Sequence, residues 1–202
     1  FALNMLMDRS IACVTLTGPA GTGKTLLAVA AALQQSLGPK SAYRKIIYVR
    51  NVHTVGKELG FLPGNLEEKA APLMGPLLDS VNFLKDDKEG EVDKLVGWAD
   101  NSKIQLMASA FVRGRTFRKA FVICDECQNM TTHELKTILT RLDGDSKIVL
   151  LGDVDQADIK LKPEDDGLIR VVGAFRDDAM FGSIDLIKSE RSKLAQIVAE
   201  KL

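Results

Sequence analysis

The octapeptide Gly18-Pro19-Ala20-Gly21-Thr22-Gly23-Lys24-Thr25 fits the pattern G-x-x-x-x-G-K-[ST]. Its chemistry is that of phosphate binding. Glycines let the backbone N–H groups of residues 21–25 close around an anion. Lys24 would neutralise β/γ oxygens, and the Thr25 hydroxyl would ligate Mg²⁺. The motif leaves an apolar run, IACVTLT, and enters the helical spacing of Leu26, Leu27, Val29, Ala30 and Leu33. The positive end of that helix would face the anion. The loop alone leaves open whether the nucleotide serves a switch, a kinase or a motor.

Two further stretches carry acids and amides. In FVICDECQN, four apolar residues lead to Asp125 and Glu126. These lie where a buried parallel strand would reach its carboxyl edge, the edge that carries ligands in open α/β sheets. Asp125 suits the magnesium site. Glu126 suits activation of an attacking water, the base role in hydrolysis. A kinase or a simple switch has no need of this pair. In LLGDVDQ, Gly152-Asp153 leave another apolar run and Gln156 follows, a residue placed to sense the γ-phosphate or the water.

Residues 113–119 hold Arg113, Arg115, Arg118 and Lys119 with one Gly and one Phe. Such a segment could grip a phosphodiester backbone, although a solvated connection is the blander alternative. Cys124-x-x-Cys127 with His133 nearby invites a zinc or redox reading. With no second cysteine pair, a core strand and a first-turn helix position account for these residues better.

The elements that must position these groups alternate. Apolar β-branched runs at 11–17, 45–50, 103–108, 120–126, 147–153 and 183–188 read as strands. Helices are expected after the glycine loop as far as Gly38-Pro39, over about 66–84, and over 167–174 and 192–202. A further helix opens at Thr131, where Glu134 completes capping-box spacing, and runs to about Leu142. GKELGFLPGN (56–65) reads as a structured loop and KDDKEGE (85–91) as a solvated turn. The alternation predicts an α/β fold: a parallel sheet covered on both faces.

At 202 residues one domain over 1–202 is expected, able to bury roughly 70% of its unfolded surface without a disulfide or metal staple. Lys+Arg and Asp+Glu are 27 each, for a net charge of about zero. Any nucleic-acid binding must therefore come from a local patch rather than bulk attraction. Three cysteines read as reduced thiols of a cytoplasmic protein. No apolar run is long enough to span a membrane. The start at Phe1 rather than Met suggests a piece of a longer chain.

The stretches GPAGTGKTLLA, GFLPGNLEEKAAPLMGPLLD, FVRGRTFRKAFVICDECQNMTTHELKTILTRL, GDVDQADI and LIKSERSKLAQIVAEKL together resemble the PhoH-like ATPases. The resemblance covers nearly the whole chain. ERSKLA is similar to the PhoH module that follows a PIN nuclease domain in some bacterial proteins. The resemblance implies a three-layer RecA-like P-loop core related to superfamily 1 helicases. It implies magnesium-dependent ATP hydrolysis, a ring-like homo-oligomer such as a hexamer, and RNA as the polymer. Lys24 and Thr25, with Gly18, Gly21, Thr22 and Gly23, match the phosphate loop. Asp125 and Glu126 match the acidic pair, and Gln156 the sensor. Arg191 matches a late arginine that could act as a finger on a neighbour's nucleotide, and Arg141 is another arginine the pattern retains. The sequence departs where Asn51 replaces a common Pro after Arg50, and where the family's DEAQN is DECQN. One core rather than two keeps helicase activity dependent on an oligomer. A nucleotide-driven assembly module acting on a partner nuclease domain is the rival reading, and a small-molecule kinase a distant third.

Overall fold

The computed structural model describes residues 1–37, 40–51, 74–85, 96–97, 102–157, 161–162 and 165–189. The loop expected at 56–65, the turn at 85–91 (beyond residue 85), the helix at 192–202 and Arg191 lie outside the described residues.

Among the described residues, seven strands form one sheet: β1 (Cys13–Thr17), β2 (Lys45–Arg50), β3 (Val96–Gly97), β4 (Ile104–Ala108), β5 (Ala120–Asp125), β6 (Lys147–Gly152) and β7 (Phe181–Asp185). Their order is β3-β4-β2-β5-β6-β1-β7, and every pairing is parallel. The described helices are α1 (Ala2–Met7), α2 (Lys24–Ser36), α3 (Gly75–Lys85), α4 (Thr132–Leu139) and α5 (Gly167–Phe175). The α/β class expected from the alternation is what the chain adopts.

Successive strand residues point to opposite faces, and the core divides accordingly. Val14, Leu16, Ile46, Tyr48, Phe121, Ile123, Val149 and Leu151 pack on one face with α1, α2 and α3. Ile47, Val49, Val122, Cys124, Ile148 and Leu150 pack on the other with Leu135 and Ile138 of α4 and Leu168 and Val171 of α5. β5 and β6 are buried along their whole length. This is why they are continuous apolar runs rather than alternating ones. Cys124 and Cys127 belong to the second face, with the Cys127 thiol donating to the Cys124 carbonyl at 3.1 Å. Burial pushes the Cys127 thiol well above its ordinary range. Both behave as small core side chains.

The expected capping box is present: Thr131 Oγ1 accepts from the Glu134 N–H, and the Glu134 carboxylate accepts from the Thr131 N–H. Two differences from expectation concern the sheet's margins. The last strand runs over Phe181–Asp185 rather than 183–188, because its register is set by pairing Cys13 with Phe181 through Thr17 with Asp185. The two-residue β3 and the six-residue α1 carry too little periodicity to be expected at all.

Candidate active site: a glycine loop facing an acidic strand end

Because all strands run the same way, their carboxyl ends share one edge. Pairing sets Thr17 beside Gly152 and Asp185, and Arg50 beside Asp125 and Ala108. β6 separates β1 from β5. At about 4.8 Å per strand spacing, the glycine loop and Asp125 stand roughly 10 Å apart. That gap suits a phosphate chain with a hydrated cation.

The loop's backbone is unusual as the motif requires. Gly18, Gly21 and Gly23 have φ of 132°, 83° and 84°, conformations that L side chains rarely adopt. Gly18 has a second reason to be glycine. A Cβ there would stand 2.1 Å from the Leu186 carbonyl oxygen of the chain leaving β7. That chain is fastened to the loop by Leu186 N–H to Thr17 O at 2.8 Å, by Thr17 Oγ1 to Asp185 Oδ1 at 2.5 Å and by Ser189 Oγ to Ala20 O at 3.4 Å. Gly23 caps α2, whose first turn holds no acidic residue. Lys24 Nζ turns over the loop and donates to the carbonyls of Gly18 and Pro19 at 2.5 and 2.9 Å. Thr22, a loop residue, donates its hydroxyl to Pro19 O at 2.9 Å.

A cavity of about 340 Å³ joins the loop to the acidic edge. Gly21, Gly23, Lys24, Thr25, Asp125, Glu126 and Gln156 all line it. The sequence-predicted groups of three separate strand ends are therefore brought together. Pro76 and Ser80 of α3, Gly152 at the end of β6 and Asp153 just after it also line the cavity.

The acidic pair is held by residues the sequence reading did not assign. The Tyr48 hydroxyl donates to Asp125 Oδ2, and burial first, then the Asp125 charge, pushes the Tyr48 pKa well up. Asp125 Oδ1 accepts the Glu126 N–H at 3.0 Å. Glu126 has φ 57°, ψ 40°, a left-handed conformation that costs a non-glycine residue about 1–3 kcal/mol. Its carboxylate is engaged on both sides, by Arg50 Nη2 at 3.1 Å and by Gln128 Nε2 at 2.6 Å. Gln128 Oε1 in turn accepts the Asp153 N–H at 3.1 Å. It can approach the end of β6 because position 152 is glycine: a Cβ there would lie 3.2 Å from Gln128 Oε1 and 2.5 Å from Leu168 Cδ2. The departure at Asn51 also finds its place, since Asn51 Nδ2 donates to Asn129 O at 2.8 Å. An amide does here what a proline could not.

Arg113, Arg115 and Arg118 are exposed but do not form one patch at the cavity. Arg113 and Arg115 follow the 3-10 turn Ser109–Phe111 just beyond β4. Arg118 precedes Lys119, whose N–H bonds Asp143 and whose carbonyl accepts from Arg44. Arg44 stands just before β2, so Arg118 belongs to the opposite edge of the sheet. Arg141, whose carbonyl accepts from Phe117 N–H at 2.7 Å, lies at that far edge too. His133 is an exposed residue in the first turn of α4. No helix among the described residues is long and apolar enough to cross a membrane.

Residues 2–201 match the family described as PhoH-like protein. Protein PhoH2 of Bacillus subtilis (strain 168) is 46% identical over 205 residues, which cover 100% of this chain and 45% of that protein. Protein PhoH2 of Mycolicibacterium smegmatis (strain ATCC 700084 / mc(2)155) is 34% identical over 202 residues, again 100% of this chain and 45% of that one. The chain thus spans about half the length of the curated relatives it matches. Among solved structures, an arterivirus nonstructural protein 10 (helicase) in complex with DNA aligns with 90% of this chain and 37% of its own, at 17% identity and a TM-score of 0.48. The match that runs from residue 2 to residue 201 settles the grouping: the chain belongs to the PhoH-like protein family.

Proposed function

We propose that this chain is a magnesium-dependent ATP hydrolase whose turnover is coupled to RNA within a homo-oligomeric ring. The observation that carries the reading is the shared cavity, in which the glycine cradle and Lys24 face Asp125, Glu126 and Gln156. Backbone N–H groups of the loop and of the α2 N-terminus hold the triphosphate, and Lys24 supplies the compensating charge. The Thr25 hydroxyl and the Asp125 carboxylate are hard oxygen donors lining the same cavity, the donor type that suits Mg²⁺. Thr25 and Asp125 would hold that ion, which would supply positive charge to offset the charge developing on the phosphate oxygens. Glu126 accepts a proton from the attacking water, and Gln156 orients that water. Arg191, outside the described residues, completes a neighbour's site.

The rival reading is an ATP-driven assembly module that gates a PIN nuclease domain. It is favoured by one observation: matched relatives are roughly twice as long as this chain. The two separate in one experiment, steady-state ATP hydrolysis with and without single-stranded RNA, with mass measured in the same buffers. Stimulated turnover in an oligomeric fraction is expected. Turnover indifferent to RNA would hand the function to the module reading, and no turnover at all would overturn the hydrolase.

A further inference from the structure

The proposed base is not at liberty. Glu126 is bonded through both carboxylate oxygens, to Arg50 and to Gln128. About two of the carboxylate's roughly four lone-pair sites stay open, but the two donors fix its orientation, and swinging it toward a water elsewhere in the cavity gives up at least one of them. The Arg50–Glu126 pair is the exchangeable one. Its side chains are 16% and 39% exposed, so the pair is partly open to solvent on the Glu126 side, unlike a fully buried pair whose loss would be prohibitive.

Arg50 also adjoins a surface that fits a particular anion. It ends β2, and the next residue, Asn51, meets Ser109 Oγ at 3.5 Å. Ser109 opens the turn over Ser109–Phe111. Phe111 is 50% exposed, and exposed Arg113 and Arg115 follow it. An exposed ring followed closely in the chain by two exposed arginines is the composition that takes a single nucleic-acid strand, with a base stacked on the ring and phosphates on the cations.

We propose that Arg50 is a positioning residue that holds Glu126 at rest and exchanges it for an RNA phosphate delivered beside the Ser109–Phe111 turn. Polymer binding then frees the Glu126 carboxylate to work on water. This rests on the hydrolase reading above and adds its regulation. No covalent step is added. One ion pair is replaced by another, and the guanidinium keeps its charge throughout.

The test uses the full chain as wild type, Arg50→Ala and Arg50→Lys, with ATP turnover measured with and without single-stranded RNA. RNA affinity is followed separately by fluorescence anisotropy, without nucleotide, across salt. Arg50→Ala should raise basal turnover by about two- to five-fold, the factor that matches loss of a partly exposed ion pair. RNA should stimulate it no further. Its salt slope for RNA should fall by about one. Arg50→Lys keeps a cation and should retain part of the stimulation. A folded Arg50→Ala protein whose basal turnover drops, or whose stimulation and salt slope match wild type, overturns the inference while leaving the hydrolase standing. A wild type without turnover overturns the hydrolase itself, and the exchange with it.

Discussion

Tyr48 on β2 reaches across to β5 and donates its hydroxyl to Asp125 Oδ2. The two residues are not paired in the ladder, where Tyr48 stands beside Ile123. A phenol is long enough to span the difference. The contact leaves Asp125 Oδ1 to the Glu126 N–H and fixes the carboxylate's plane. Tyr48→Phe should remove one charge-assisted hydrogen bond from a buried carboxylate and cost about 1.5–3 kcal/mol in urea unfolding. If Asp125 holds magnesium, the magnesium concentration for half-maximal turnover should rise while the ATP KM changes little. An unchanged magnesium dependence would detach Tyr48 from the site.

Lys24→Ala and Glu126→Gln should separate binding from chemistry. Loss of Lys24 removes the cation at the cradle, so both nucleotide affinity and turnover should collapse. Glu126→Gln keeps the shape of the side chain, gives up one of the two hydrogen bonds it accepts from Arg50 and Gln128, and removes the base. Turnover should fall by about 10²–10⁴-fold, with ATP binding retained in equilibrium titration. Brisk hydrolysis by Glu126→Gln would move the base role elsewhere.

The parts of this site that were legible in the sequence are those whose neighbours are local. Gly18 through Thr25, Asp125-Glu126 and Gln156 each announce themselves within a few residues of an apolar strand, and a parallel sheet must then gather them on one edge. What the sequence did not disclose depends on register. Arg50 meets Glu126 only because β2 pairs with β5 so that Arg50 stands beside Asp125. Gln128 reaches Asp153 only because β6 is next to β5 and carries Gly152. Tyr48 looked like any aromatic in a core strand. The basic run of residues 113–119 shows the reverse case. It is contiguous in sequence, yet it follows the turn beyond the carboxyl end of β4 and ends with Arg118 near the amino end of β2, so Arg118 is set apart from that turn.

That division can be tested. Arg113→Ala and Arg115→Ala should each weaken single-stranded RNA binding and lower the salt slope by about one. Arg118→Ala, at the opposite edge, should change neither. Binding compared across about 50 to 200 mM salt resolves these slopes. Equal losses at all three positions would mean that the polymer contacts both edges.

Gly18→Ala probes the strap that β7 lays on the phosphate loop. The added Cβ would meet backbone, the Leu186 carbonyl oxygen at 2.1 Å, at a φ of 132°. Neither can give without moving the loop or the chain after β7. A loss of about 2–4 kcal/mol of stability is expected from the combined clash and strain, with nucleotide affinity reduced at temperatures where the variant remains folded. Gly114→Ala is the control: it shares a positive φ but meets nothing within 4 Å, so it should leave nucleotide affinity intact.

Far from the cavity, Lys147 gives a handle on pH. Its side chain is buried at the start of β6. Its ammonium donates to the carbonyls of Met5, Asp8 and Ile11 at 2.8, 2.7 and 2.7 Å, which ties α1 and the chain after it to the sheet. Burial lowers its pKa to about 8 from 10.5. Below about pH 8 the group is charged in both folded and unfolded chains, and the cost of burying the charge is fully present. Between about 8 and 10.5 the folded chain releases its proton first, so the unfolded chain binds more protons and stability rises with pH. Lys147→Met should lose about 2–4 kcal/mol at pH 7, because three carbonyls lose their donor. The gap between wild type and Lys147→Met, measured by urea unfolding, should widen as pH is raised through that window. A gap that stays level would show that the three carbonyls hold the ammonium charged as firmly as water does.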